Sequence, residues 1–234
     1  MKFRANYIKF PLVLILVIFL FGFAGKRHDA RKLIGTSVEF TNNENLYITA
    51  VEVENLLPKK ENVKDELLNL HNIEERLDQN NMIENAEVFV KLDGTLSAIV
   101  SQRKPIGRAI GSTSFYLDRN GLIMPLSKNY SARVPLLIGF DKELAPKVTE
   151  LLNYIKNDKF LNTHITEITH LKNNRYQLSL RKLDFKVYFG ELKNINLKFN
   201  NFKAFYKKAL KDKKLDTYKK VNLQFGNQVV CTKK

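Results

Sequence analysis

The chain has 234 residues, of which 44% are apolar, so it suits a membrane segment and one or two small folded domains. Its net charge of +15 is local: residues 2–32 hold seven Lys or Arg and one Asp, and residues 193–220 hold ten Lys and two Asp. The single cysteine, Cys231, excludes an intramolecular disulfide. These values exclude a disordered chain and a protein that is basic over its whole surface.

The first predicted element is the apolar segment 10–25, which contains no charged side chain and follows a short start, residues 1–9. Sixteen helical residues span about 24 Å, and extension back to Tyr7 approaches the ~30 Å of a bilayer core. A cleaved signal peptide is the alternative, because Gly22-Phe23-Ala24 is a small-x-small sequence. We expect an uncleaved transmembrane helix, since bulky phenylalanines crowd that region. Basic residues flank both ends, so charge alone leaves the orientation open.

A linker, residues 26–36, leads into a first folded domain, which we predict over residues 37–106. A short strand is expected first, at Val38–Phe40. Thr49 and Glu52 then form a capping box at the start of a helix, because each side chain can accept a hydrogen bond from the other residue's backbone N–H.

The second half of this domain has a helix and two strands. Asn72 and Glu75 predict a second capping box. Residues 86–92 and 96–102 are rich in β-branched and apolar side chains, which is typical of strands. Asp93-Gly94 between them predicts a type I′ hairpin turn, which needs φ > 0 at both central residues. The expected order is therefore β-α-α-β-β.

The C-terminal domain, residues 107–234, is predicted as a mixed β-sheet with two packed helices, so the fold class of the chain is α+β. Pro146 suits the first turn of one helix, and residues 194–211 predict the other from a regular apolar stripe. Strand pairs are expected around Asn120-Gly121, around Asn173-Asn174, and in a last hairpin of Val221–Phe225 and Gln228–Cys231 turning at Gly226-Asn227.

The helix over residues 194–211 also predicts a basic face, which is formed by Lys198, Lys203, Lys207, Lys208 and Lys211. A solvated helix face is the simplest interpretation. The functional alternatives are attraction to anionic lipid, to an acidic partner or to an anionic envelope polymer. Nucleic acid fits less well, because the aromatic residues of this helix are placed for burial rather than for stacking on bases.

The sequence lacks several motifs of common catalytic sites. A Gly-rich phosphate loop, H-E-x-x-H and G-x-S-x-G are all missing. The four histidines lack the i, i+4 spacing of a helix-borne metal site. We therefore predict a non-enzyme with no catalytic, metal-binding or cofactor-binding residues.

Five stretches of the sequence carry a resemblance to a known family. Ile83-x-x-Ala86-x-Val88, Gly94-x-Leu96 and Arg103-x-Pro105-Ile106-Gly107-Arg108 together resemble the POTRA domain of FtsQ/DivIB, the bitopic bacterial cell-division proteins. Tyr116-Leu117-Asp118-x-x-Gly121 resembles the start of the second, β-rich domain of that family. The stretch Val221–Val230 is similar to its last hairpin.

The resemblance implies a single-pass type II protein of the inner membrane, with both folded domains in the periplasm and a place at the division septum. It further implies a divisome scaffold that links early and late division proteins, binds FtsB- and FtsL-type partners and helps to control septal peptidoglycan synthesis. Two alternatives remain. One is an envelope assembly factor that docks partners through its POTRA-like domain, and the other is a basic nucleic-acid-binding protein.

Two groups of residues are candidate sites. The resemblance implies that the FtsB-like partner adds a strand to the last strand of the chain, and the expected contacts are Phe225, Gly226, Asn227, Gln228, Val229, Val230 and Cys231. Phe225 would supply apolar contact, and Gly226-Asn227 would allow close approach. We expect Arg103, Pro105 and Arg108 to set the angle between the domains or to meet an acidic partner.

We predict that segment 10–25 stays attached and that residues after Lys32 lie outside the cytoplasm. Protease added to spheroplasts should then digest the C-terminal domain and spare a tag at residue 1, because the bilayer shields only the N-terminal side. Protection of the C-terminal domain would contradict this topology, and a mature N-terminus at Gly25 would identify a cleaved signal peptide instead.

Overall fold

The computed structural model describes residues 11–20, 22, 34–41, 46–58, 69–111, 113–226 and 228–234. The chain divides into two compact units, Met1–Gln102 and Arg103–Lys234. Strands and helices occur in both, which confirms the predicted α+β class.

The N-terminal apolar segment is only partly described. Residues 11–20 form helix α1, whose side chains are exposed. In the described part of the chain, no helix has the length and apolar content required to cross a bilayer. Most of the predicted linker, residues 26–36, and the ends of segment 10–25 lie outside the described residues.

The first unit has the predicted order of elements. These are β1 (Gly35–Phe40), α2 (Ala50–Glu54), α3 (Leu70–Asp78), β2 (Ile83–Val90) and β3 (Thr95–Gln102). The strands form one sheet in the order β1-β3-β2, in which β1 is parallel and β2 antiparallel to β3. Both helices bury apolar side chains against this sheet, among them Val53, Leu77 and Ile73.

One predicted cap of the first unit is confirmed and one is wrong. The Thr49–Glu52 capping box is present, with the Thr49 N–H 2.7 Å from the Glu52 carboxylate. Asn72 does not cap α3; it lies inside the helix, and its N–H donates to the side chain of Asn69 at 3.2 Å. The helix begins earlier because Leu70 adds to the apolar face that packs on the core.

The predicted type I′ turn at Asp93-Gly94 is also wrong. Gly94 has φ 89°, whereas Asp93 is not among the described residues with positive φ. The Gly94 N–H donates to the Lys91 carbonyl, and the Asp93 carboxylate accepts the Thr95 N–H at 2.9 Å. This is a type I turn followed by a glycine bulge, which joins the same two strands with one residue more.

The second unit is built on a nine-stranded mixed sheet in the order β12-β11-β10-β9-β8-β7-β4-β5-β6. The strands are β4 (Pro105–Ile110), β5 (Phe115–Asp118), β6 (Ile123–Met124), β7 (Leu136–Ile138), β8 (Ile165–Leu171), β9 (Arg175–Leu180), β10 (Leu183–Gly190), β11 (Tyr218–Asn222) and β12 (Val230–Lys233). Residues 103–106, assigned to the first domain from the sequence, lie in this unit, because Pro105 begins β4 and pairs with β5. The β8–β9 turn at Asn173-Asn174 has φ > 0 at both residues.

The described residues of this unit form three α-helices, rather than the two predicted: α4 (Thr149–Asn157), α5 (Lys159–His164) and α6 (Ile195–Lys211). They pack on one face of the sheet and form its core with side chains such as Leu137, Ile168 and Val187. Residues that alternate with these along the strands point to the opposite face, which we call the open face. Lys186 and Lys220 are exposed there.

The predicted basic face of α6 is not a single surface. Lys198 is only 8% exposed; its Nζ donates to the Glu191 carbonyl at 2.6 Å and lies 4.7 Å from the centre of the Phe189 ring. Burial lowers the pKa of Lys198. Lys203 pairs with Asp158. The exposed remainder of the predicted face is Lys207, Lys208 and Lys211.

Asp158 connects α5 with α6. Its carboxylate caps α5 by accepting the Leu161 N–H at 3.0 Å and binds the Lys203 Nζ at 2.8 Å. Burial acts to raise the pKa of Asp158, but these two hydrogen bonds outweigh it and hold the pKa below the usual 3.8.

We expect Asp158→Ala to lower the free energy of unfolding of the second unit by about 1–2 kcal/mol, through loss of the cap and the ion pair. Asp158→Asn, the matched control, keeps the cap and should cost less. The ionised Asp158 carboxylate contributes fully to the free energy of unfolding at pH values above its pKa in the unfolded chain. This contribution is lost as the pH falls through the lower pKa that Asp158 has in the folded protein. Denaturant titrations at several pH values should therefore show wild type and Asp158→Asn converging in acid; a constant difference would contradict this role.

Candidate partner-binding site

The candidate site is the edge of the large sheet formed by β12. This strand ends the sheet and pairs antiparallel with β11, in the register Asn222 with Val230, Val221 with Cys231 and Lys220 with Thr232. Among the described residues, no strand pairs with its outer side. Its outward backbone groups are therefore available to a partner.

The predicted bounds of this last strand, Gln228–Cys231, are wrong. The strand begins at Val230 and runs to Lys233. Phe225, Gly226, Gln228 and Val229 lie in the connection that precedes it, and Asn227 lies outside the described residues.

The connection leaves the sheet early because its backbone has other partners. The Gln224 N–H donates to the Asn222 side chain at 3.0 Å, which turns the chain away from the β11–β12 ladder. The Asn201 side chain of α6 donates to the Gly226 carbonyl at 2.9 Å. The segment before β12 is thus tied to a packed helix of the core.

Two hydrogen bonds determine which backbone groups of β12 point outward. The Leu223 N–H donates to the Tyr188 carbonyl of β10, so Val221, two residues earlier, also faces β10. The Lys234 N–H donates to the Thr217 carbonyl beside β11. By alternation, Val230 and Thr232 pair with β11, while the N–H and C=O groups of Cys231 and Lys233 face the outer edge.

The side chains near this edge differ in accessibility. Val229 and Cys231 are partly buried and pack against the core of the second unit. Burial raises the pKa of the Cys231 thiol. Phe225 and Val230 are 46% and 41% exposed, so both can contact an added strand.

Arg103 belongs to a buried ion pair. Its Nη1 lies 2.6 Å from the Oδ2 of Asp118, and the Asp118 side chain is 2% exposed. The Oδ1 of Asp118 accepts the N–H groups of Asn120 and Leu122 at 2.9 and 2.7 Å. The pair therefore attaches the segment before β4 to the turn between β5 and β6.

Arg108 has neighbours in the same unit. Its Nη1 donates to the Ser131 hydroxyl at 3.1 Å, and its guanidinium lies 5.7 Å from the centre of the Tyr116 ring. The Tyr116 hydroxyl accepts the Ala132 N–H at 3.0 Å, so these side chains hold the segment that precedes β7. The interdomain or partner role that we predicted for Arg103, Pro105 and Arg108 stays a prediction.

A family described as FtsQ/DivIB, C-terminal related matches residues 104–232, more than half of the chain. The chain belongs to the FtsQ/DivIB family. A search of curated proteins found no match. Membership gives the chain a role in cell division at the division site, in a family of non-catalytic proteins that interact with other division proteins.

The predicted site residues of this FtsQ/DivIB protein lie in two separate places of the second unit. Phe225 and the residues up to Cys231 lie at or next to the edge, whereas Arg103, Pro105 and Arg108 gather around β4 and β5. Asp118 is not among the site residues predicted from the sequence. The spacing Asp118-x-x-Gly121 nevertheless indicates the turn between β5 and β6, in which the Gly121 N–H donates to the Asp118 carbonyl.

We expect Arg103→Met to lower the free energy of unfolding of the second unit by about 3–5 kcal/mol, because Asp118 would remain buried without its cation. Arg108→Met is the matched control; it removes one hydrogen bond to the exposed Ser131 hydroxyl and the contact with the Tyr116 ring, and should cost about 1 kcal/mol. Denaturant unfolding followed by circular dichroism measures both. Equal, small costs would show that the Arg103–Asp118 pair contributes little.

Proposed function

We propose that this FtsQ/DivIB protein is a non-enzymatic scaffold of the divisome that binds FtsB- and FtsL-type partners and so helps to control septal peptidoglycan synthesis. The observation that carries the proposal is the outer edge of β12, where backbone groups of Cys231 and Lys233 face away from the sheet. An extended segment of the partner adds there as a further strand.

The chemistry of the edge supports recognition of a strand. Main-chain hydrogen bonds supply affinity without regard to sequence, and the neighbouring side chains select the partner. Val230 and Phe225 offer exposed apolar surface, and Lys233 is exposed on the strand itself. Lysine on an edge strand also discourages pairing with other copies of the same edge.

The first unit would be the POTRA-like domain of the scaffold. Among its described residues, the β-α-α-β-β order and the three-stranded sheet leave β1 and β2 as edge strands. These edges suit docking of a second division protein. The apolar segment 10–25 would anchor the protein in the inner membrane as a single-pass type II protein, with both units in the periplasm.

The register of β12 identifies a proline substitution that tests strand addition. Lys233→Pro removes an outward N–H without breaking the pairing with β11. Val230→Pro would instead remove an N–H that faces β11. We expect Lys233→Pro to reduce capture of the FtsB-like partner from solubilised membranes at least about tenfold, equivalent to roughly 1.4 kcal/mol.

Lys233→Ala is the matched control, because it removes the same side chain and keeps the backbone N–H. This variant should capture the partner at close to the wild-type level. Circular dichroism of all three proteins establishes that the second unit is folded. A folded Lys233→Pro protein with wild-type capture would exclude strand addition at this edge.

A further inference from the structure

A pair of lysines lies side by side on the open face, next to the candidate edge. Lys186 of β10 and Lys220 of β11 are register partners in parallel strands, and Thr232 of β12 is the register partner of Lys220. All three side chains are exposed on the same face. We call Lys186 and Lys220 the lysine pair; Thr232 separates it from the sheet edge.

The lysine pair has only neutral partners in the part of the chain that the structure describes. Lys186 Nζ donates to the Ser179 hydroxyl at 2.8 Å. Lys220 Nζ lies 4.2 Å from the centre of the Tyr188 ring. Like charges on directly opposite residues of neighbouring strands destabilise a sheet. An anion placed between them would relieve that repulsion.

No carboxylate of the described residues contacts the lysine pair directly. Glu167, two strands from Lys186 on the same face, accepts hydrogen bonds from Ser179 and Thr169 at 2.9 and 3.1 Å, so the Ser179 hydroxyl stands between it and Lys186. Asp184 pairs with Lys234 at 3.3 Å. Residues 218–234 contain four lysines and no Asp or Glu. The edge therefore presents an excess of positive charge to whatever binds there.

We infer that the partner segment that pairs with β12 carries an acidic side chain opposite Thr232, on the open face, where its carboxylate binds Lys220 and is attracted at longer range by Lys186. This inference rests on the proposed strand addition. A strand added to β12 lies two strand spacings, about 10 Å, from β11. Thr232 is short, so a glutamate or aspartate can extend over it toward the long, flexible side chain of Lys220.

An acidic peptide fits this surface better than a nucleic acid. Single-strand binders combine basic grooves with aromatic faces on which bases stack. The aromatic residue of this patch, Tyr188, already has Lys220 over its ring. The protein would thus bind the peptide through backbone hydrogen bonds at the β12 edge and through contacts between its lysines and carboxylates on one face of the peptide.

The test compares two fluorescent hexapeptides, one of alternating Thr and Glu and the other of alternating Thr and Gln. Alternation places every acidic side chain on one face of an extended strand. Each is titrated against the full-length protein in detergent micelles, with anisotropy as the readout. The Glu peptide should bind about fivefold more tightly than the Gln peptide, as expected for one ion pair with Lys220 of up to about 1 kcal/mol.

Lys186→Gln/Lys220→Gln should abolish that preference, and Lys186→Arg/Lys220→Arg should keep most of it. Lys207→Gln/Lys208→Gln is the matched control, because it removes the same charge from exposed residues of α6 and should leave the preference unchanged. Raising the salt concentration should weaken binding of the Glu peptide more than binding of the Gln peptide.

The outcomes separate this inference from the proposed function. Equal binding of both peptides, abolished by Lys233→Pro, would overturn the acidic preference and leave strand addition standing. Binding that Lys233→Pro does not affect would contradict strand addition itself. A single-stranded oligonucleotide of matched charge that binds as tightly as the Glu peptide, through the same lysines, would show a general polyanion site and overturn the inference.

Discussion

The pairing of β11 with β10 is the constraint on which the candidate edge depends. Val187 and Val221 are register partners and both are fully buried, so this pairing fixes the face of β11 that meets the core. If β11 slipped by one residue against β10, Lys220 would be buried and Val221 exposed. This register is unfavourable because it loses apolar contacts and buries a charge. Because β12 takes its register from β11, the same constraint sets which backbone groups face a partner.

Helix α6 couples this edge to the core. It connects β10 to β11, which run parallel, and its Phe199 and Phe202 are fully buried. Phe199 packs 5.1 Å from the Phe189 ring of β10. Asn201 on the same helix binds the Gly226 carbonyl. Helix α6 therefore contacts both β10, on which β11 and β12 are built, and the segment that leads into β12.

The lysines of the second unit show that net charge does not describe a binding surface. Lys198 is buried, and its Nζ contacts the Glu191 carbonyl and the Phe189 ring. Lys203 binds Asp158, the residue that caps α5. Lys186 and Lys220 have no carboxylate partner among the described residues and lie on one accessible face beside the edge. Position in the sheet, rather than abundance in the sequence, separates structural lysines from those able to bind an acidic group.

The sequence by itself determined the type and order of most elements, because these depend on local preferences and on period. The Thr49–Glu52 cap and the Asn173-Asn174 turn need only neighbouring residues, and both are present. Long-range pairing decided the rest. The last strand begins at Val230 because β10 and α6 bind the connection before it, Lys198 is buried against β10, and Arg103 finds its carboxylate in the β5–β6 turn. The lysine pair arises only when β10 and β11, separated by α6 in sequence, lie side by side.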